Sequence, residues 1–438
     1  MKRYTTTLLS ILLGTIAIAQ EHKVLFIGGS ISQGEGVVNP ERNSLPAQLK
    51  ALLGADAEVG VVTPNSDTFI ADSKLIETIG ELNPTHIYFE VGSQHRLKES
   101  KLKPKQMQKS LLEFQKDLKL RYPNSSITMI MPTDTIEPFS DYDSLVKLNS
   151  RAAQESGIVV KNIKQLYPNR DAFRTKDHQP TSLGANLVAW ELFLDLKKEE
   201  LKEDSIYINP ASMAIPGAEY RASTGWIEGA DWHDVSNEIS TIAQTKKCDV
   251  LLLGNSITQG WGGERSLITH KPGRLAADSE FAGFSWMNCG IAGDKTQQLI
   301  HRLENGKYES CEPKVVVLTI GVNNLSSDET AQGCFEGIVA VVEKINLKMP
   351  NSKVLLLGPL PALAREDKLR GDINDVHNKL SKQDWNSSVR YINPGSWFLN
   401  EDGNLLLELY SRDLLHLSNK GYEKWAKSMR PIIEEMIK

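Results

Sequence analysis

The chain has 438 residues, too many for one small hydrophobic core and suited to about two domains. With 40% apolar residues, 24% charged residues and a formal net charge of −5, its composition is that of an ordinary globular protein. That charge gives no basis for a nucleic-acid or anionic-membrane partner.

The N-terminus begins Met1-Lys2-Arg3, runs through an apolar stretch from Leu8 to Ala17 and reaches Ala17-Ile18-Ala19. This positive, apolar, small-residue order predicts a secretory signal over residues 1–19, cut after Ala19. No other stretch is long and apolar enough to span a bilayer. A secreted or periplasmic protein without stable membrane insertion is expected.

Strands are predicted at Lys23–Ile27, Glu58–Val62, His86–Val91, Ser126–Met131 and Ile158–Ile163, with helical patterns between them and a last helix over Ser182–Glu200. A second series follows at Val250–Leu253, Trp286–Cys289, Val315–Ile320, Val354–Leu357 and Val389–Ile392, closed by a helix from about Asn419. Ser326 and Glu329 have capping-box spacing and predict the start of the helix after Gly321. The two series echo one another: Lys23 to Gly34 resembles Val250 to Gly260, Ile87 to Gly92 resembles Val316 to Gly321, and Pro180 to Gly184 resembles Leu417 to Gly421. A tandem duplication follows. Alternating strands and helices predict an α/β fold with two flavodoxin-like three-layer α/β/α domains, each holding a parallel five-stranded sheet. The expected boundaries are residues 20–203 for the first domain, 204–230 for a linker around the Pro/Gly-punctuated Asn209 to Gly217, and 231–438 for the second.

Cys248, Cys289, Cys311 and Cys334 are all the cysteines, and their spacing fits no zinc pattern. Cys248 and Cys311 precede strands expected to be neighbours. A bridge between them and buried free thiols are both open readings.

The chemistry concentrates in the second series. Val250-Leu-Leu-Leu-Gly-Asn-Ser256 is an apolar strand that delivers a serine at its carboxyl end, where parallel sheets open their ligand crevice. Asn288 to Asp294 and Gly321 to Asn324 are Gly/Asn-rich turns at two further strand ends, and Asp413-Leu-Leu-His416 sets an acid three residues before a base. Acyl transfer needs a nucleophile, an oriented base and donors for the developing oxyanion. Taken singly, Ser256 could merely cap a helix, Asp413 and His416 could share a surface turn, and Asn323 could serve a left-handed turn. All of them together, in order, point to a serine esterase with Ser256 as nucleophile, His416 as base and Asp413 as its orienting acid.

Gly254-Asn-Ser256, Gly290-Ile-Ala-Gly-Asp294 with Arg302-Leu-Glu-Asn-Gly306, Gly321-Val-Asn-Asn324 and Asp413-Leu-Leu-His416 resemble the motifs of the SGNH (GDSL-type) hydrolase superfamily. From about Trp232 onward the likeness is to the catalytic subunits of platelet-activating factor acetylhydrolase and their bacterial relatives. The one departure is Asn255, where the family usually has Asp. The resemblance implies that the Gly293 N–H and the Asn323 side-chain amide are oxyanion donors beside the Ser256 N–H. No cofactor is expected, and no metal, since no ligand cluster with metal spacing lies near the motifs.

In the first series Ser30 is present, but Val61 to Thr68 replaces the oxyanion glycine turn and Gly92 to His95 replaces Gly-x-Asn. Gln179 and Lys176 fall where His and Asp belong, with Asp177 and His178 one residue out of register. A degenerate copy is expected, with residual activity through Ser30 and His178 as the alternative. Lys98, Lys101, Lys103, Lys105 and Lys109 read as a solvated helix start or as an attractor for an acidic glycan. Trp261 reads as an acyl-pocket wall or as packing, and His301 carries no assigned role. The expected activity is hydrolysis of short-chain, acetyl esters, with carbohydrate as the expected carrier; the sugar rests on the resemblance alone. A phospholipid acyl hydrolase of the lysophospholipase or platelet-activating-factor type and a non-catalytic glycan-binding protein are the alternatives. The partner is a small-molecule or glycan ester, and the oligomeric state is not readable.

Overall fold

The computed structural model describes residues 22–63, 79, 83–90, 104–131, 147, 150–151, 153–166, 173, 175, 179–202, 207–222, 224–327 and 329–438. Residues 1–19, read as a secretory signal, Lys176 to His178, Gly92 to His95, residues 64–68, and Lys98, Lys101 and Lys103 lie outside them.

Strands β1 (Lys23–Ile27), β2 (Glu58–Val62), β3 (His86–Glu90), β4 (Ser126–Met131) and β5 (Val159–Asn162) form one sheet in the order β2-β1-β3-β4-β5. Strands β6 (Val250–Gly254), β7 (Trp286–Gly290), β8 (Val315–Thr319), β9 (Lys353–Leu356) and β10 (Val389–Tyr391) form the other, which reads β7-β6-β8-β9-β10. Every pairing in both sheets is parallel. Matched strand for strand the two orders are the same, and they are the flavodoxin-like order with a switch point beside its first strand. The α/β architecture of two five-stranded parallel sheets is therefore as the sequence predicts. Central strands β3, β6 and β8 are buried at every position, the expected result for apolar runs covered on both faces.

By compactness the chain divides into one unit of Met1–Gln33, Leu45–Pro168 and Val188–Ser205 and another of Gly34–Ser44, Asn169–Leu187 and Ile206–Lys438. Within the second unit, residues 207–222 lie in the stretch read as a linker, yet Ala211, Ile215 and Ala218 are buried. The Thr296 hydroxyl donates to Ala211 O at 2.8 Å and Ile215 N–H donates to Gln297 O at 3.2 Å. The segment makes a short 3-10 turn at Pro210–Ser212, then continues without regular structure along a helix start, and finds its polar partners there.

One local expectation needs correction, and one residue left with two readings takes the packing one. Ser326 starts no helix: it ends the short helix Val322–Leu325, and its hydroxyl donates to Val322 O at 2.8 Å. The long helix Ala331–Lys348 is capped instead by Thr330, whose side chain accepts the Gly333 N–H. Trp261 walls no acyl pocket: it is fully buried, with its ring centroid 4.8–5.2 Å from those of Phe281, Tyr422 and Trp425.

The four cysteines are free and buried. Cys248 N–H donates to Cys311 O at 2.9 Å, which brings the two Sγ atoms to 3.1 Å from one another. Incubating the reduced protein with a small-molecule disulfide is expected to leave Cys289 and Cys334 as the remaining thiols, with peptide mapping placing a bridge at Cys248–Cys311. Recovery of all four thiols after unfolding would show that this contact is a hydrogen bond only.

His377 is 4% exposed, with Nε2 2.8 Å from Pro359 O and Nδ1 2.8 Å from Tyr391 Oη. Burial lowers its pKa from 6.5 to about 4. The folded form thus takes up this proton later than the unfolded chain does. Its contribution is fully present above pH 6.5 and is lost as pH falls towards 4, a loss of about 3 kcal/mol at most. Denaturant midpoints measured across that window should fall more steeply for the native chain than for His377→Gln, and parallel slopes would exclude the role.

Candidate active site

The site is built where three adjacent strands end. After β6, Gly254 leads into a tight strand-to-helix turn, because a Cβ there would sit 2.2 Å from the Thr258 hydroxyl and 2.3 Å from Thr319 O. Asn255 caps this turn: its side-chain oxygen accepts the Ile257 N–H at 3.0 Å. The departure from the usual Asp is thus absorbed, since the amide oxygen does the capping a carboxylate would do. Ser256 opens the short helix that follows, half-buried, with its hydroxyl facing out of the turn towards His416.

His416 and Asp413 come from a tight loop ahead of the last helix, Asn419–Ile437. Ser411 N–H donates to His416 O at 2.7 Å, and Asp413 Oδ1 accepts the N–H groups of Leu415 and His416 at 3.0 and 2.9 Å. Closing the loop puts Leu414 at φ 54°, a left-handed conformation that costs a branched side chain roughly 1 kcal/mol. Asp413 Oδ2 lies 2.7 Å from His416 Nδ1, and His416 Nε2 lies 2.9 Å from Ser256 Oγ. An ionised carboxylate only accepts, so Nδ1 carries the proton and Nε2 is left to accept from the serine. Partial burial works to raise the Asp413 carboxyl. The hydrogen bonds from the His416 ring and from the N–H groups of His416 and Leu415 outweigh it and hold the group below its ordinary value.

Gly293 and Asn323 follow β7 and β8. Gly293 adopts φ 87° and Gly321, just before Asn323, adopts φ 119°; only glycine takes such angles without strain. One N–H of the Asn323 amide donates to Asp294 O at 2.9 Å, so the other is free to serve a ligand. Among the described residues, no acceptor faces the backbone N–H of Ser256 or of Gly293. The five residues singled out in the sequence thus stand at the ends of β6, β7 and β8 and on the Asp413–His416 loop. Such an arrangement can deprotonate a hydroxyl and hold a developing oxyanion.

Sequence reasoning missed what holds these residues in place. Asp294 and Arg302 are fully buried and paired, with Arg302 Nη2 2.7 Å and Nε 2.8 Å from Asp294 Oδ2. Arg302 also donates to Cys289 O at 2.9 Å, to Tyr308 Oη at 2.7 Å and to Gly254 O at 3.3 Å. Trp232 Nε1–H donates to Asp294 Oδ1 at 2.6 Å. Burial pushes the Asp294 carboxyl up, to about 6, against the pull of Arg302 and Trp232. Also missed was Asn288, whose amide donates to Gln259 O and Gly262 O at 3.0 and 3.1 Å. A lone Asn inside the apolar strand Trp286–Gly290 was the available signal.

The first copy has a different turn chemistry. Gly29 stands where Asn255 stands and has no side chain to cap with. Glu90 reaches across from β3 instead, its carboxylate accepting the N–H of Ser32 and, at 3.2 Å, that of Ile31. Ser30 opens the short helix there and is buried. Gln179 lies in a turn where its N–H meets Thr175 Oγ1 at 3.2 Å.

Among the described residues, no group of histidine, cysteine and carboxylate side chains could hold a metal ion, and no helix is long and apolar enough to cross a membrane.

The sequence pattern of the GDSL-like Lipase/Acylhydrolase family matches residues 252–424, a span that holds Ser256, Gly293, Asn323, Asp413 and His416. Platelet-activating factor acetylhydrolase IB subunit alpha2 of Homo sapiens is 31% identical over 233 residues, which are 52% of this chain and 92% of that protein. The alpha1 subunit of Rattus norvegicus is 28% identical over 232 residues, 52% of this chain and 91% of its own. Among solved structures, a GDSL-like lipase from Bacteroides thetaiotaomicron aligns over 42% of this chain and 87% of its own, at 19% identity and a TM-score of 0.35. Nearly the whole length of the human subunit is spanned at that identity, so this chain belongs to the GDSL-like lipase/acylhydrolase family.

Proposed function

We propose that the protein is an exported esterase that removes short acyl groups, acetyl above all, from carbohydrate esters, and that residues 231–438 form its catalytic domain. The observation that carries this reading is the unbroken hydrogen-bonded chain from Ser256 through His416 to Asp413. In this reading the Ser256 Oγ attacks the ester carbonyl carbon as its proton passes to His416 Nε2, and Asp413 steadies the imidazolium through Nδ1–H. The carbonyl oxygen, now an oxyanion, takes hydrogen bonds from the Ser256 and Gly293 N–H groups and from Asn323 Nδ2. Each such donor contributes on the order of 3 kcal/mol in the transition state. His416 then returns the proton to the departing alcohol, and water, activated by the same base, releases the acid from Ser256.

Preference for a short acyl group and a bulky polar alcohol follows from exposure. The side chains of His416 and Asp413 are 42% and 50% exposed, so the working face is open to water. A long acyl chain would gain little there of the roughly 0.8 kcal/mol available per buried CH₂. One observation favours a second reading, hydrolysis of an acetylated phospholipid: the curated relatives are named platelet-activating factor acetylhydrolase. Screening the purified protein on acetylated sugars against long-chain acyl esters separates the two.

Ser256→Ala should lower turnover of an aryl acetate by a factor of about 10⁴ or more, while Ser30→Ala stays within about twofold, since the glycine turn and Gly-x-Asn of the second copy are not repeated around Ser30. Equal losses would overturn the assignment of hydrolysis to the second copy. Along a series of aryl esters from acetate to octanoate, kcat/KM is expected to fall. A rise would remove the acetylesterase reading in favour of the lipid one.

A further inference from the structure

Beside the candidate oxyanion glycine lies an acid–base pair that the mechanism does not use. Glu219 belongs to the segment ahead of the helix Trp232–Thr245, where Trp232 N–H donates to Glu219 O at 3.0 Å and Tyr220 bridges Asp231. Its side chain lies flat against Gly293: a Cβ on that glycine would be 2.5 Å from Glu219 Cγ and Cδ and 2.6 Å from Oε1. Gly293 is therefore glycine for two reasons, its positive φ and this carboxyl group. Arg221 Nη2 reaches Glu219 Oε2 at 3.0 Å, and the two side chains are 36% and 18% exposed, respectively. Arg221 Nε is buried and meets no acceptor among the described residues.

A carboxylate at this place works against an oxyanion forming at the Gly293 N–H. Burial raises the Glu219 carboxyl above its ordinary value, although Arg221 and Lys295 pull it down, so these cations offset part of the cost of a carboxylate here. An acid that hinders the chemical step unless neutralised, and that stays partly exposed with its partner, is suited to binding. We propose that Glu219 and Arg221 form a subsite for a polyhydroxylated alcohol, Glu219 accepting from one substrate hydroxyl and Arg221 donating to a neighbouring hydroxyl or ring oxygen. Such a joined acceptor and donor matches vicinal oxygens of a polyol and offers nothing to a plain aryl group. The acetyl group has no polar atom besides the carbonyl, so the polyol belongs to the alcohol side of the ester. This inference rests on the esterase reading above and narrows its substrate.

The test uses the whole chain, 4-nitrophenyl acetate and a mono-O-acetylated methyl glycoside. For Glu219→Gln and Arg221→Met, KM for the glycoside ester should rise so that the glycoside-to-aryl ratio of kcat/KM drops about tenfold or more, the loss expected where a site hydrogen-bonds a substrate hydroxyl. Arg221→Met alone should also slow kcat on both esters, because it removes the guanidinium paired with Glu219 and leaves only Lys295 to offset that carboxylate. The double variant should recover kcat on 4-nitrophenyl acetate without recovering the ratio. A purely structural role predicts additive losses and no such recovery; equal losses on both esters, or an unchanged ratio, would refute the subsite. A native enzyme active on 4-nitrophenyl acetate but inert towards the glycoside ester also refutes it. Inactivity of the native chain on every ester is the separate outcome that refutes the esterase reading itself.

Discussion

The buried pair of Asp294 and Arg302 sets the geometry on which the rest of the site is assembled. Arg302 binds the last carbonyl of β6, Gly254 O, and the next-to-last of neighbouring β7, Cys289 O, while its Nε and Nη2 hold Asp294. Asp294 in turn follows Gly293 directly, and its own carbonyl receives the Asn323 amide. One guanidinium thus ties the turn that bears Ser256, the loop that bears Gly293 and the aim of Asn323 into a single body. Taking two charges out of water costs several kcal/mol per ion before any is recovered, and removing one partner of such a pair costs about 3–5 kcal/mol. The favourable side is preorganisation, because donors already fixed in place need no reorientation when charge develops. Arg265, also buried, repeats the device with Glu238 at 2.7 Å and with the carbonyls of Asn288 and Gly290. Both cations sit at the end of β7, the strand that delivers the glycine loop.

The two sheets share one topology but answer its demands with different residues. A strand-to-helix turn after the first strand leaves helix N–H groups without partners. In the second sheet Asn255 satisfies one locally, and the β8 residue paired with Gly254 is Thr319. In the first sheet Gly29 cannot, and the corresponding β3 residue, one beyond the Ile27–Phe89 pair, is Glu90. Its carboxylate is forced into a space where a Cβ on Gly28 would lie 2.5 Å from Oε1. Burial drives this carboxyl up against the hydrogen bonds it accepts from Ser32, Ile31 and Gly29. The capping duty is conserved in physics while its source moves from a neighbour in sequence to a neighbour in the sheet. The consequence is chemical as well, for it sets a buried acid behind Ser30 where the second copy has a neutral threonine behind Ser256.

Much of this was legible in the sequence, for identifiable reasons. Val315–Thr319 and Val250–Gly254 are short apolar runs bounded by turn residues, and both form strands buried throughout. The residues at their ends could be placed because strand termini in parallel sheets face one crevice. What was not legible depended on distant partners. Asp294 is 62 positions from Trp232, and nothing local marks either as the other's partner. Ser326 and Thr330 both have the composition of a cap; the structure chooses Thr330 because Glu329 is taken by Asn324, Lys295 and Gln297. Trp261 had two readings until Tyr422 and Trp425 of the last helix were seen to enclose it. The segment 207–222 lacks any period, and periodicity says nothing of extended chain that is held by helix starts.

The site is therefore rigid on one side and open on the other. The candidate oxyanion donors stand on strand ends braced by buried charged pairs, whereas the candidate base His416 and Asp413 occupy a solvent-facing loop whose shape comes from hydrogen bonds to its backbone N–H groups and one strained residue, Leu414. This division suits the requirements of the two halves. A donor must be fixed to be worth its full electrostatic effect, but a base must exchange its proton with an alcohol and then with water, and needs access to both. Closing the base under an apolar roof would favour long acyl chains by burying them, at the cost of the water that frees the enzyme. Left open, the rim can only select through polar contacts. Glu219 and Arg221, beside Gly293, are the charged side chains proposed to make them. Under the esterase reading, specificity then lies in the alcohol half of the ester.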